Sequence, residues 1–124
     1  MTEGIWPRGA LRFPRRFRLG KNRNYRFVYR KGKSYPSRLL VLYFLRGKDL
    51  KVGFSVSSKV GNAVVRNRTK RKLREAYRAL HPLVKENFLI VIVARQACVS
   101  ASVADITEDL YNLLQKAALL KNRT

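Results

Sequence analysis

The chain has 124 residues, a formal net charge of +21 and 46% hydrophobic residues. This length suits one domain, and the hydrophobic content excludes wholesale disorder, so the charge must lie on the surface of a folded body. Such a surface attracts polyanions: nucleic acid, the anionic membrane face or an acidic protein. No run of about 18 apolar residues predicts a membrane span, and the N-terminus lacks the apolar centre of a secretion signal. We therefore expect a cytoplasmic protein with no membrane partner.

The N-terminal part of the chain is strongly basic and has no apolar periodicity. Residues 1–38 contain twelve Lys or Arg residues and one acid, Glu3. We interpret residues 1–18 as a flexible basic arm, in which Trp6 and Phe13 receive no role. Residues 19–120 are expected to form a single domain, and residues 121–124 a tail.

A short helix and two strands are predicted next. Tyr25, Val28 and Tyr29 stand at i, i+3 and i+4, which indicates one face of a helix that ends at Gly32. The apolar runs "SRLLVLYFLR" and "LKVGFSVSS" follow, separated by three residues, Gly47, Lys48 and Asp49, as in an antiparallel hairpin.

The second of these strands alternates between an apolar and a polar face. Gly53, Ser55 and Ser57 share the polar face. Paired with Val41 and Tyr43 of the first strand, they would form the floor of a shallow, partly aromatic groove.

The segment "GNAVVRNRTKRKLREAYR", residues 61–78, predicts an amphipathic helix that Pro82 ends. Its apolar side carries Val65, Thr69, Leu73, Ala76 and Leu80, with Tyr77 at the edge. The opposite side carries Asn67, Arg68, Arg71, Arg74 and Arg78, flanked by Arg66 and Lys70. Residues 59–74 contain no acid, although like charges at i and i+4 cost stability. A neutralising ligand explains this pattern, and the many arginines suit the phosphates of folded RNA.

The C-terminal part predicts a strand and a helix. "FLIVIVAR", residues 88–95, is typical of a strand covered on both faces, and a helix capped by Ser102 should follow. The resulting order is helix, strand, strand, helix, strand, helix, with helices packed on one sheet.

Groups able to perform catalysis are scarce. His81, the only histidine, lies beside a proline at a helix end, where a capping or solvated role is expected. The serines of the second strand have no histidine partner nearby in sequence. Cys98, the only cysteine, is expected to be a plain thiol near a strand end, with no zinc site.

The motifs taken together resemble the bacterial ribonuclease P protein family. "RNRTKRKLREAYR", residues 66–78, preceded by "VGFSVSSKVGNAVV", is similar to the family signature, and "YRFVYRKGK" and "FLIVIVAR" flank it as expected. The resemblance implies an α+β fold with a central mixed sheet of about four strands and three helices, in the order α-β-β-α-β-α. It also implies a left-handed βαβ crossover, as in a domain of a ribosomal protein, where general rules predict a right-handed one.

The resemblance further implies a role in removing the 5′ leader of precursor tRNA. In this role RNA performs the cleavage with Mg²⁺ that is held chiefly by the RNA, and the protein supplies no catalytic residue or metal site. The expected partners are one catalytic RNA for each protein monomer, and precursor tRNA. The implied contacts to the catalytic RNA are Lys59, Arg66, Asn67, Arg68, Lys70, Arg71 and Arg74. The implied leader cleft is lined by Tyr25, Tyr29, Val41, Tyr43, Ser55 and Ser57.

Two other functions stay open at this point. A structural RNA-binding protein, such as a ribosomal protein, would have the same composition. A nuclease that acts without an RNA partner is disfavoured by the lack of an acid and base pair. In the expected ribonuclease P, the protein alone would be inactive.

Overall fold

The computed structural model describes residues 13–121, which contain three α-helices and four strands, joined by loops and 3-10 turns. The helices are α1 (Asn22–Lys31), α2 (Ala63–Leu80) and α3 (Val103–Lys116). The strands are β1 (Lys33–Pro36), β2 (Leu40–Arg46), β3 (Lys51–Val56) and β4 (Phe88–Ala94). The α+β fold with a four-stranded mixed sheet is therefore confirmed, and the order predicted from sequence lacked only β1.

The strands lie in the order β1-β2-β4-β3. β2 is antiparallel to both β1 and β4, whereas β3 is parallel to β4. The predicted hairpin between β2 and β3 is wrong, because β4 lies between these two strands. Its side chains explain the position: Ile90, Val91 and Ile92 have no exposed surface, which requires neighbours on both edges and both faces.

The main core lies between one face of the sheet and helices α2 and α3. On α2 the side chains of Thr69, Leu73, Ala76 and Leu80 are buried, as predicted. Tyr77, expected at the edge of this face, is fully buried as well. β3, α2 and β4 form the parallel βαβ unit, and the left-handed sense of its crossover stays a prediction.

The opposite face of the sheet is covered only in part, by α1. Val28 of α1 is fully buried against Val91 of β4. Gly32 ends the helix, as predicted, and a side chain there would lie 2.5 Å from the carbonyl oxygen of Phe44. Because α1 is short, the rest of this face stays open to solvent.

The packed chain begins before the expected domain boundary at residue 19. Phe13 is only 4% exposed and lies edge-on to the rings of Phe54 and Tyr77. Leu19 donates its backbone N–H to the carbonyl oxygen of Val52, on the outer edge of β3. Residues 13–18 therefore belong to the domain, because aromatic burial and edge pairing hold them to it. The rest of the predicted arm, including Trp6, and residues 122–124 of the tail lie outside the described residues.

His81 and Cys98 are both buried. His81 is the C-cap residue of α2, in agreement with the predicted capping role, and its backbone N–H donates to the carbonyl oxygen of Tyr77. A solvated His81 is wrong: the residue is 1% exposed, and its Nδ1 lies 2.7 Å from the Tyr77 hydroxyl. Cys98 follows β4 in a 3-10 turn and has a free, fully buried thiol, in agreement with the prediction. In residues 13–121 no helix has the length and apolar character needed to cross a membrane.

Candidate RNA interface

The open part of the sheet beside α1 is a cleft crossed by three strands. Val41, Val93 and Ser55 lie in register across β2, β4 and β3, and all three are half-buried. The adjacent row contains Tyr43, Val91 and Gly53. The cleft is thus one strand wider than the predicted groove. Sequence reasoning missed Val91 and Val93, because alternation along β4 indicates their face but not which strands lie beside it.

Tyr25 forms the wall of this cleft near β3. A Cβ atom on Gly53 would lie 2.6 Å from atoms of the Tyr25 ring, so the ring rests directly on the strand backbone. Burial raises the pKa of Tyr25, while a backbone hydrogen bond from Phe54 and the charge of Arg74 act in the opposite direction. The hydroxyl is therefore a neutral hydrogen-bonding group at the cleft wall.

Tyr29 and Tyr43 form the aromatic part of the cleft near β2. Their ring centroids are 4.7 Å apart and their planes meet at 70°, an edge-to-face pair. Tyr29 is 38% exposed, which leaves part of its ring open to solvent. An unpaired base could stack on this surface.

Ser57 lies beyond the end of β3 and is exposed. Its hydroxyl accepts a hydrogen bond from the backbone N–H of Lys59 and caps a 3-10 turn of residues 58–60. Lys59 extends from this turn and is exposed. The structure therefore gives Ser57 a capping role and places it at the end of the cleft.

Exposed polar and cationic side chains near the start of α2 face away from the sheet. Asn67, Arg68 and Arg71 are exposed and share one side of the helix. Arg66 is half-buried, and its guanidinium donates a hydrogen bond of 2.9 Å to the carbonyl oxygen of Gly61. Asn62 caps the helix by accepting the N–H of Val65. This N-terminal end of α2 thus presents a fixed basic surface.

Lys70 and Arg74 lie on a different side of α2 from this surface. Both are half-buried and line a depression of about 280 Å³ together with Arg18 and Tyr25. Burial lowers the pKa of Lys70, and the charge of Arg74 lowers it further. The cations predicted to form one patch therefore divide into two groups, one facing outward and one bordering the cleft.

Lys72 has a structural role that the sequence pattern does not predict. Its Nζ donates hydrogen bonds to the carbonyl oxygens of Cys98, Val99 and Ala101, at 3.2, 2.8 and 2.7 Å. These bonds attach α2 to the turn that follows β4. Lys72 is thus directed away from the basic surface, although it belongs to the same run of cations.

The carboxylates of α3 lie on the other side of the sheet from the cleft. Asp109 accepts a hydrogen bond from the Ser37 hydroxyl, and Asp105 and Glu108 lie near Arg38. In residues 13–121, no three side chains of His, Cys, Asp or Glu are grouped as ligands for a metal ion. Among the described residues, those that line the depressions at the cleft are uncharged or cationic, with no carboxylate.

Comparison with known proteins connects this arrangement with one family. A family model described as ribonuclease P matches residues 13–118. A ribonuclease P protein component from Clostridium acetobutylicum is 46% identical over 107 residues, which cover 83% of this chain and 90% of the relative. One from Oceanobacillus iheyensis is 38% identical over 111 residues, covering 87% of this chain and 92% of the relative.

Solved structures agree with the sequence comparisons. The RNase P protein of Staphylococcus aureus aligns with a TM-score of 0.75 at 30% identity, over 85% of this chain and 98% of that one. The protein of Thermotoga maritima aligns with a TM-score of 0.72 at 28% identity, over 80% of this chain and 96% of that one. The match includes residues 13–18, which pack against the core here. The chain belongs to the ribonuclease P protein family.

Proposed function

We propose that this chain is the protein subunit of a ribonuclease P holoenzyme, in which it binds the catalytic RNA and the 5′ leader of precursor tRNA. The observation that carries the proposal is an open aromatic cleft beside a helix whose cations divide between the cleft and the outside. One protein surface can thus hold a single strand while a second one contacts folded RNA.

The cleft has the properties of a site for a single-stranded leader. Tyr25 and Tyr29 offer aromatic rings, and the half-buried row of Val41, Val93 and Ser55 provides a floor along which a strand could lie. Stacking on aromatic rings demands little of the base sequence, which suits leaders of many sequences. Lys70 and Arg74 border the same region and would attract the leader phosphates.

The outward side of α2 is suited to the catalytic RNA. Asn67, Arg68 and Arg71 are exposed together, with Lys59 on the preceding turn. Arginine forms forked hydrogen bonds with phosphate, and folded RNA is recognised mainly through its backbone and shape. We assign one protein monomer to each RNA.

We assign the chemical step to the RNA. Mg²⁺ held by RNA would activate the attacking water and stabilise the leaving oxygen of the phosphodiester. The carboxylates of α3 do not fit a metal site for this reaction, because they lie across the sheet from the cleft and Asp109 is already hydrogen-bonded to Ser37. The chain itself orients the substrate and neutralises phosphate charge, so it should be inactive alone.

Substitution of Tyr29 tests the leader cleft. In the holoenzyme reconstituted with a bacterial ribonuclease P RNA, Tyr29→Ala should weaken binding of precursor tRNA about tenfold, because one stacking surface is lost. Binding of mature tRNA, which has no leader, should hardly change. Tyr29→Phe keeps the ring and serves as the matched control. Equal losses for precursor and mature tRNA would place Tyr29 outside the leader site.

A further inference from the structure

Helix α1 has an exposed side that neither the core nor the cleft uses. Val28 is buried beneath the helix, and Tyr25 and Tyr29 lie toward the cleft. The remaining side carries Arg23, Arg26, Phe27 and Arg30, spaced at i, i+3, i+4 and i+7. We refer to these four residues as the outer face of α1. All four are exposed, and Phe27 is 42% exposed despite its large apolar ring.

The charges of this outer face are unbalanced. α1 contains no acidic residue, and Arg26 and Arg30 stand at i and i+4, where like charges destabilise a helix. Within residues 13–121 none of the three arginine side chains takes part in a hydrogen bond or an ion pair. A phosphate backbone would neutralise these charges, and an unpaired base could cover the ring of Phe27.

The outer face is continuous with the leader cleft through Arg26. The side chain of Arg26 lines a depression of about 450 Å³ together with Tyr25, Tyr29 and Ser55 of the cleft. An α-helix with its side chains is only about 10–12 Å across. A strand that leaves the cleft over Arg26 can therefore reach Phe27 within a short distance.

We propose that the outer face of α1 binds the part of the leader farthest from the cleavage site, with an unpaired base stacked on Phe27 and phosphates paired with Arg23 and Arg30. This inference rests on the proposed function, in which the nucleotides nearer the cleavage site occupy the cleft. The affinity of the holoenzyme for precursor tRNA therefore depends on leader length, because only longer leaders reach the second contact.

The catalytic RNA is a poorer match for this surface. α1 packs on one face of the sheet through Val28, whereas α2 packs on the other through Leu73. An RNA segment bound along Arg68 and Arg71 therefore lies on the far side of the sheet from Phe27. The leader, in contrast, is brought to the edge of α1 by the cleft itself.

A series of leader lengths tests the inference. Precursor tRNAs with leaders of about 4 to 16 nucleotides, the span of known single-strand sites, are titrated with reconstituted holoenzyme. The wild-type protein should gain affinity in two steps, first as the leader fills the cleft and again as it reaches α1. Phe27→Ala should remove only the second step, a loss of about tenfold for long leaders. Phe27→Tyr, which keeps an aromatic ring at this position, should retain the second step.

The controls separate this inference from the proposed function. Tyr111→Ala removes an aromatic ring of similar exposure, 38%, on α3, and should leave both steps intact. Tyr29→Ala should lower affinity at every leader length. If Phe27→Ala changes no affinity, lowers affinity equally at all lengths or weakens binding of the catalytic RNA, the outer face is not a leader site. If the leader confers no affinity on the wild-type holoenzyme, the proposed function itself fails.

Discussion

The ring of Tyr25 lies against the backbone of Gly53, so closely that a single added carbon on Gly53 would come within 2.6 Å of the ring. Gly53 lies within β3, where glycine weakens a strand unless another group must approach the backbone. Here the approaching group is an aromatic side chain of the candidate leader cleft. Gly53 therefore determines how deeply Tyr25 sits in the cleft wall.

Gly53→Ala should displace the Tyr25 ring. We expect a loss of about 1–3 kcal/mol in the free energy of unfolding, as for overpacked sites, together with weaker binding of precursor but not mature tRNA. Urea denaturation and binding titrations measure the two effects. In a Tyr25→Ala background the same substitution should cost much less, because its steric partner is gone. Additive losses in the double variant would show that the contact does not position Tyr25.

Arg68 and Lys72 belong to one run of cations, yet their substitutions should affect different properties, RNA binding for Arg68 and stability for Lys72. Arg68→Ala should weaken binding of the catalytic RNA and reduce its salt slope by about one, because one phosphate contact is lost, while stability stays unchanged. Lys72→Met should leave the salt slope intact and lower the free energy of unfolding by about 1.5–3 kcal/mol, because three carbonyl oxygens lose a charged donor. An unchanged slope in Arg68→Ala would place that side chain away from RNA.

Cys98 should make stability depend on pH in the alkaline range. Burial raises the pKa of its thiol from 9.0 to about 11, while the charge of Lys72 lowers it and that of Asp109 raises it. The unfolded chain releases the thiol proton near pH 9, but the folded chain keeps it until near pH 11. The contribution to stability is therefore complete below pH 9 and is lost as the pH rises to about 11.

Cys98→Ala provides the comparison for this effect, since other groups also titrate at alkaline pH. The difference in free energy of unfolding between wild type and variant, measured in urea from pH 8 to about pH 11, should change across this window. The wild type should lose more stability than the variant as the pH rises. A constant difference would contradict a raised thiol pKa.

The sequence was informative wherever periodicity alone determines which side of an element is buried. Thr69, Leu73 and Leu80 of α2 are buried as predicted, and alternation along β3 correctly separated Val52 from Ser55. Strand order was not predicted, because period-two alternation indicates a face and not a neighbour. The loop after β2 is short enough for a hairpin, and only the burial of β4 on both edges explains the inserted strand.

The other differences between prediction and structure each have a specific cause. β1 is four residues long and includes Pro36, so it carries little strand signal. Phe13 lies in a stretch without apolar periodicity, and its burial depends on packing against residues of distant elements. Lys72 cannot be distinguished from Arg71 by composition, because the carbonyl oxygens it contacts lie more than 25 residues away in sequence. Such roles depend on tertiary contacts that no local pattern encodes.

The most direct test of the proposed function is reconstitution at low Mg²⁺ concentration. Precursor tRNA is incubated with a bacterial ribonuclease P RNA alone, with this protein alone, and with both, and release of the 5′ leader is followed. Efficient cleavage, which leaves a 5′ phosphate on the mature tRNA, is expected only when both are present. Cleavage by the protein alone, or no increase in the activity of the RNA when the protein is added, would contradict the proposed function.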